Sequence, residues 1–314
     1  MLFHGTFIHS VNGELQIQEN TYMTVENGKI TSISDQKPEG NYQLVETTET
    51  QIIIPGLIDT HTHAPQYSFA GCGLDLPLLE WLNTYTYPAE SKFSDKEFAE
   101  KVYSKVVNRS LSSGTTTATY FGTLHKDSTF ILADQCRSAG QRAFVGKLSM
   151  DRNSPDYYRE KSTEESLKSE RQFLNEFSNS PDDLVQPILT PRFVPTCSLE
   201  LMKGLGQLEK ENPSLRIQSH VSENLNEIEW VKSLHPDLTN YTSVYDHAGL
   251  LNSNTILAHG VHLTDDEINL LATKHASISH CPSSNFLVFS GLCDVRKLMN
   301  AHVNVGLGTD VAGG

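Results

Sequence analysis

Two histidines one residue apart, His61 and His63 in GLIDTHTH, stand at the end of a short apolar run. Side chains two apart on a strand project from the same face, so this pair can chelate one ion. The spacing alone is weak evidence, because 13 histidines in 314 residues produce roughly 0.5 such pair by chance. The signal strengthens when other strand ends are compared. His220 closes LRIQSH, His259 closes TILAH and Asp310 closes HVNVGLGTD. A single histidine is usually a core or loop residue with a hydrogen-bond partner. Five metal-compatible groups at matching strand ends are poorly explained that way, and imidazole nitrogens with a carboxylate oxygen suit zinc.

Glu223 follows His220 by three residues in HVSEN. It reads as a carboxylate at a helix start, favoured there by the helix dipole. It reads equally as a proton shuttle beside a water whose pKa a metal brings toward about 7. Gln66, in HAPQYSF just past the first histidine pair, offers an amide to a polar ring edge. Arg192 and Phe193, in TPRFVP, set a cation beside a stacking surface. Each also has an ordinary reading: a surface amide, an ion-pair partner, a core ring. Lys147, in FVGKLSM, reads as a buried stem with a solvated head.

The elements that must position these residues follow from the hydrophobic rhythm. Before Pro55, alternating runs are broken by Asn12-Gly13 and Asn27-Gly28, the strongest short-range hairpin signal. Residues 1–55 are therefore expected to form a small β unit, sandwich-like in character. After it the pattern becomes strand, loop, helix, with strands near residues 57, 116, 144, 186, 217, 256, 277 and 304. Eight strands alternating with helices over about 250 residues predict a (β/α)8 TIM barrel spanning 56–314. An open doubly wound sheet usually has fewer strands and often a Gly-rich phosphate turn, which this chain lacks. Barrel active sites form at the C-terminal strand ends, where the candidate residues fall. The helix over SDKEFAEKVYSKVVNRSLSSG is expected to open on Ser94-x-x-Glu97 and close at Gly114.

Composition excludes other classes. Lys and Arg number 24 against 38 Asp and Glu, a net charge of −14, which disfavours nucleic-acid or anionic-membrane surfaces. No apolar run approaches the roughly 18 residues of a membrane helix, and the N-terminus does not read as a signal peptide. The five cysteines are scattered without a CxxC pair and read as reduced cytosolic thiols.

The runs PGLIDTHTHAPQYSFAGCGLDLPLLEWLNTYTYPAE, GTTTATYFGT, TPRFVPTCS, QSHVSEN, SVYD, LAHGVHL, SHCPSSN and GLGTDVAGG span nearly the whole chain. Together they resemble the guanine-deaminating branch of the amidohydrolase superfamily. The PQYSFAG to LDLPLLEWL stretch is the specific part, since HxH and GTD are shared widely. The resemblance implies a metal-dependent hydrolase barrel and hydrolysis of guanine to xanthine and ammonia in purine catabolism. It implies one zinc per chain on His61, His63, His220 and Asp310. His259 would orient the attacking water or polarise the reacting centre, and Glu223 would shuttle protons. Asp310 would also accept a proton from the water. Gln66, Arg192 and Phe193 would hold the purine, next to His63, His220, Glu223 and Asp310. A cytoplasmic homodimer is implied, with no nucleic acid or membrane partner. Chains of this family continue past GTDVAGG, so the barrel is expected to be C-terminally incomplete after the eighth strand, with apolar surface exposed there. The alternatives are a related amidohydrolase acting on another aminated ring or a cyclic amide, or a shortened inactive isoform that binds a partner.

Overall fold

The computed structural model describes residues 1–179, 183–311 and 313. The chain divides into two compact units, Met1–Leu57 and Ile58–Gly314. Ala312 and Gly314, in the terminal GTDVAGG run, lie outside the described residues.

In the first unit, strands Leu2–Val11, Glu14–Glu26 and Lys29–Ser34 pair antiparallel in sequence. Both expected Asn-Gly turns form, with Asn12, Gly13, Asn27 and Gly28 all at positive φ, the conformation that a two-residue hairpin turn of this type requires. Short strands Leu44–Glu46 and Ile52–Ile53 add to Leu2–Val11 in parallel, so the unit is one mixed five-stranded sheet rather than a sandwich. Val11, Leu15, Ile17, Ile30 and Ile33 of this unit are exposed.

The second unit is a parallel barrel. Its eight strands are Leu57–His63, Thr115–Phe121, Arg142–Gly146, Val185–Pro191, Arg216–Val221, Thr255–His259, Ser277–His280 and Asn304–Leu307, one at each expected position. They form a continuous path in which sequence neighbours are sheet neighbours. Side chain and loop contacts draw the first and eighth strands together. Thr60 Oγ1 donates to the Leu307 carbonyl at 2.9 Å, the Asp310 amide donates to the His61 carbonyl at 2.9 Å, and the His63 amide donates to Val311 at 3.1 Å. The barrel is nearly closed. A Cβ on Gly308 would lie 2.8 Å from that of His61, so glycine is what lets the last strand approach this closely.

Helices cover the barrel with apolar faces inward. Leu201, Met202, Leu205 and Leu208 of helix Leu199–Glu211 join Leu189, Ile217, Leu257 and Ile278 of the strands in one buried cluster. Helix Lys96–Ser112 starts one residue later than Ser-x-x-Glu implies. Its cap is Asp95, whose carboxylate accepts from the Glu97 and Phe98 amides, a stronger acceptor than a serine hydroxyl. The stretch DLPLLEWLNTY is not one regular helix. A short α turn, Leu78–Trp81, passes into a π turn, Leu82–Thr86, and then an α segment, Tyr87–Ser91, that carries Pro88 in its first turn. π turns widen a helix locally and recur at functional sites. No helix of the described residues is long and apolar enough to cross a membrane.

Candidate active site

His61 and His63 end the first barrel strand, two residues apart and both buried. His220 sits in the fifth strand, and His259 ends the sixth. Asp310 lies three residues beyond the eighth strand, Asn304–Leu307, in a turn rather than at the end of the strand. His259 and Asp310 both adopt left-handed backbone, φ 74° and 49°. Each such non-glycine residue costs on the order of 1 kcal/mol or more, which the surroundings must offset. Part of that support is Asp59, which shares the first-strand face with His61 and His63 by alternation. Asp59 accepts from the Thr309 amide at 3.0 Å, the Thr309 hydroxyl at 2.6 Å and the His61 amide at 3.2 Å. It thereby ties the turn bearing Asp310 to the first strand.

The side chains converge. The Nε2 atoms of His63 and His220 are 3.1 Å apart. Asp310 Oδ1 lies 3.2 Å from His61 Nε2 and 3.5 Å from His63 Nε2. His220 Nδ1 is 2.6 Å from the Arg192 carbonyl. A carbonyl only accepts, so Nδ1 carries the proton and Nε2 turns its lone pair to the centre. Phe121 packs behind all three rings, with centroids 4.5–4.9 Å away.

A cation fits this donor set. His61, His63 and His220 form one group whose ligand atoms lie within 4.8 Å of one another, and His61, His259 and Asp310 form another. Nε2 of His61 and Nδ1 of His63 are buried without a hydrogen-bond partner, an expensive state for polar atoms that a cation would relieve at His61. Burial, and then the neighbouring His61, hold the His63 and His220 imidazoles well below their usual range, which keeps them in the neutral form that ligates. Burial disfavours charge on Asp310, but the neighbouring imidazoles of His61, His259 and His63 outweigh it and keep the carboxylate ionised. Imidazole and carboxylate donors of this kind suit zinc.

Glu223 precedes helix Leu225–Leu234 by two residues, so it is not the first-turn carboxylate. Glu227 fills that position and accepts from the Glu223 and Asn224 amides. Glu223 instead faces the cavity. Its Oε1 accepts from the Ser290 hydroxyl at 3.1 Å, and its Oε2 lies 3.4 Å from His259 Nε2. Burial pushes Glu223 up to about 7, partly countered by His259, which suits a group that takes and returns a proton near neutrality. For His259 burial works against the charged form, yet Glu223 and Asp310 prevail and raise its pKa. Asn285 faces His259 Nδ1 at 3.0 Å and sets the ring's orientation.

The opposite wall carries the expected substrate readers. Gln66, Arg192 and Phe193 line the same cavity as His63, His220, Glu223, His259 and Asp310, a space of about 440 Å³ counting its open mouth. Leu78, Trp81 and Leu82 supply apolar walls. Arg192 is both ion-pair partner and cavity residue. Its guanidinium forks onto Glu90, Nη1 to Oε2 at 2.7 Å and Nη2 to Oε1 at 3.1 Å. Gln66 Nε2 donates to Glu90 Oε1 at 3.1 Å, and the Tyr158 hydroxyl to Oε2 at 2.8 Å. Glu90 is wholly buried and was missed by sequence reasoning. The need for a carboxylate near a buried arginine is readable, but nothing in the sequence says which of 38 acids supplies it. Asp59, Asn285 and Ser290 were also missed; only Asp59 had a signal, its alternation with His61 and His63.

Lys147 departs from expectation. Its head is not solvated: the residue is fully buried, and Nζ donates to the Leu148 carbonyl at 2.7 Å and to Glu160 at 2.8 Å, with Glu170 at 3.7 Å. Two buried carboxylates replace the water that a snorkelling lysine would seek. It does not join the metal-compatible groups.

Comparison with known proteins agrees in kind. Residues 52–314 match the Amidohydrolase family profile. The whole chain aligns with guanine deaminase of Dictyostelium discoideum at 47% identity, covering 73% of that protein. It also aligns throughout with the probable guanine deaminase of Schizosaccharomyces pombe at 48%, covering 62%. A crystal structure of guanine deaminase from C. acetobutylicum with bound guanine superposes on the entire chain with TM-score 0.95 at 42% identity, covering 75% of that chain. The chain thus spans 62–75% of the length of these relatives. With a hydrolase barrel that carries its polar groups at the C-terminal strand ends, the chain belongs to the amidohydrolase family, within its guanine deaminase group.

Proposed function

We propose that the protein hydrolyses guanine to xanthine and ammonia, a step of purine catabolism, with one zinc ion per chain held by His61, His63, His220 and Asp310. The observation that carries this reading is the convergence of those four side chains in the cavity that Gln66, Arg192 and Phe193 line from the other side. When bound, the zinc supplies the Lewis acidity that makes water nucleophilic near neutral pH.

The chain's own residues do the rest. Gln66 and Arg192 hold the polar edge of the purine, and Phe193 with Trp81 and Leu82 covers its faces. That places the amino-bearing ring carbon toward Glu223 and His259. Glu223 accepts a proton from the attacking water, and Asp310 accepts another as the oxygen adds to the ring carbon. His259 donates a hydrogen bond from Nε2 to the reacting centre. Glu223 then returns its proton to the amino nitrogen. The proton on Asp310 passes to the ring nitrogen whose double bond to that carbon opened on attack, the C–N bond breaks as the C=O forms, and ammonia leaves. Guanine and water become xanthine and ammonia with no other reactant. The low exposure of Glu223 and His259 keeps bulk water from short-circuiting these transfers.

Ammonia release from guanine, with Glu223→Gln as control and zinc content measured on the same sample, tests the reading. Turnover of a pterin or triazine in preference to guanine would replace the substrate assignment. Absence of both zinc and turnover in folded protein would favour a non-catalytic binding role. We further place the protein in the cytoplasm as a homodimer with no nucleic-acid or membrane partner; cell fractionation and sedimentation check these points.

A further inference from the structure

Glu90 stands outside the reacting groups, yet it contacts both polar readers of the cavity. Its two oxygens accept four hydrogen bonds, two from Arg192, one from Gln66 and one from Tyr158. An ionised carboxylate has about four acceptor positions and no proton to give. The chemistry is therefore one-directional. The Gln66 atom facing Glu90 is the amide nitrogen, and its carbonyl oxygen is the end turned away. Arg192 spends two of its five N–H groups on the fork, and its guanidinium also lies over Tyr87, 5.2 Å from the ring centroid, which restricts its plane. The neighbouring π turn, Leu82–Thr86, leads directly into the segment that carries Glu90.

We propose that Glu90 is a specificity-setting positioning residue: because it can only accept, it sets the polarity of the Gln66 amide and the orientation of the donor-only Arg192 fork so that together they read a lactam edge. That edge presents a ring carbonyl, an acceptor for Arg192, beside a ring N–H, a donor for the Gln66 oxygen. An aminated pyrimidine edge presents the reverse, a ring nitrogen acceptor beside an exocyclic donor, and meets donor with donor and acceptor with acceptor. Sites built to pair one pattern reject its inverse strongly, since the buried polar groups are left unpaired. This deepens the proposed function and rests on the same cavity holding a purine.

The test is binding, so that it reads separately from turnover. Hypoxanthine carries the lactam edge without the 2-amino group, and adenine carries the inverted edge. Calorimetric titration of both into the zinc-loaded wild type and Glu90→Gln gives the ratio of affinities. Glutamine keeps the size but can donate as well as accept, so position 90 no longer demands a donor from the Gln66 amide. Hypoxanthine affinity should fall about tenfold or more while adenine affinity holds or rises. Glu90→Asp, which keeps the acceptor-only charge, should retain the preference for hypoxanthine better than Glu90→Gln does. Equal loss for both ligands would reduce Glu90 to a fold-supporting residue and overturn the proposal. If Glu90→Gln does not fold, Gln66→Leu serves instead: it removes the acceptor and leaves the Glu90–Arg192 pair whole. It must weaken hypoxanthine and spare adenine, and a uniform loss refutes the polarity argument. Ammonia release from guanine, assayed alongside, shows whether the catalytic reading fails while the edge preference stands.

Discussion

The wall built by His61, His63, His220 and Asp310 and the wall built by Glu90, Gln66 and Arg192 are both buried, but they differ in how their polar atoms are satisfied. On the first, two imidazole nitrogens face each other at 3.1 Å and His61 Nε2 has no hydrogen-bond partner. On the second, each oxygen of Glu90 accepts two hydrogen bonds. The first wall is arranged for something it does not itself contain. On the second, the central carboxylate is satisfied before any ligand arrives, so that little reorganisation of Gln66 and Arg192 remains when a ring docks. Unmet imidazole nitrogens suit a cation, and a satisfied carboxylate behind the two readers suits a rigid template.

The sharpest way to break this contrast is at the first wall. His220→Ala should abolish stoichiometric zinc and with it ammonia release, while Glu223→Gln should keep zinc and lower kcat by about 10²–10⁴-fold. Metal analysis beside kinetics separates the two; zinc retained in His220→Ala would remove it from the ligand set. The second wall answers to stability before kinetics. Arg192→Ala leaves Glu90 charged and buried without its principal partner and should cost about 3–5 kcal/mol. Adding Glu90→Ala should recover part of that loss, because the stranded charge goes with it. Denaturant titration of the four-member cycle measures the coupling, and strict additivity would mean that the pair is not a unit.

Away from both walls, Lys147, Glu160 and Glu170 provide a third buried charge group for comparison. Burial, against the attraction of Lys147, pushes Glu170 up to about 7 from its ordinary 4.5. A carboxyl whose folded value is raised contributes its full stability below its unfolded value. That contribution is lost as the pH climbs through the folded one. Glu170→Gln should therefore flatten the decline in stability between pH 4.5 and 7, a change of about 3 kcal/mol across the interval. An unaltered slope would assign the decline elsewhere. The smallest effect concerns Asn285. Asn285→Ala frees the His259 ring and should lower kcat about tenfold with KM for guanine little changed. A rise in KM alone would instead tie Asn285 to substrate binding.

How much of this was readable in the chain depended on the distance over which each signal acts. The eight strands and both hairpins were legible because apolar alternation and Asn-Gly pairs act within a few residues. His61, His63, His220 and His259 were legible because each lies within two residues of its strand's C-terminal end. Asp310 was found, but its turn was not, since a left-handed aspartate looks like any other residue before it is folded. Glu90 was invisible. Its partners lie 24, 68 and 102 residues away, and it reaches them from a helical segment entered through a π turn that no periodicity announces. Lys147 misled for a related reason, because the carboxylates that replace its water come from elsewhere in the chain.

The short hydrogen bonds between the turn bearing Asp310 and the strand bearing His61 join positions some 249 residues apart. Closing so long a loop is entropically expensive and kinetically late, and contacts of such high sequence separation slow folding. The site proposed to hold zinc is therefore completed late on the folding route: its first and last donors meet only when the ring of strands does. On the proposed zinc site, metal uptake during refolding would serve as a clock for ring closure. Its rate should follow the slowest structural phase rather than the early collapse.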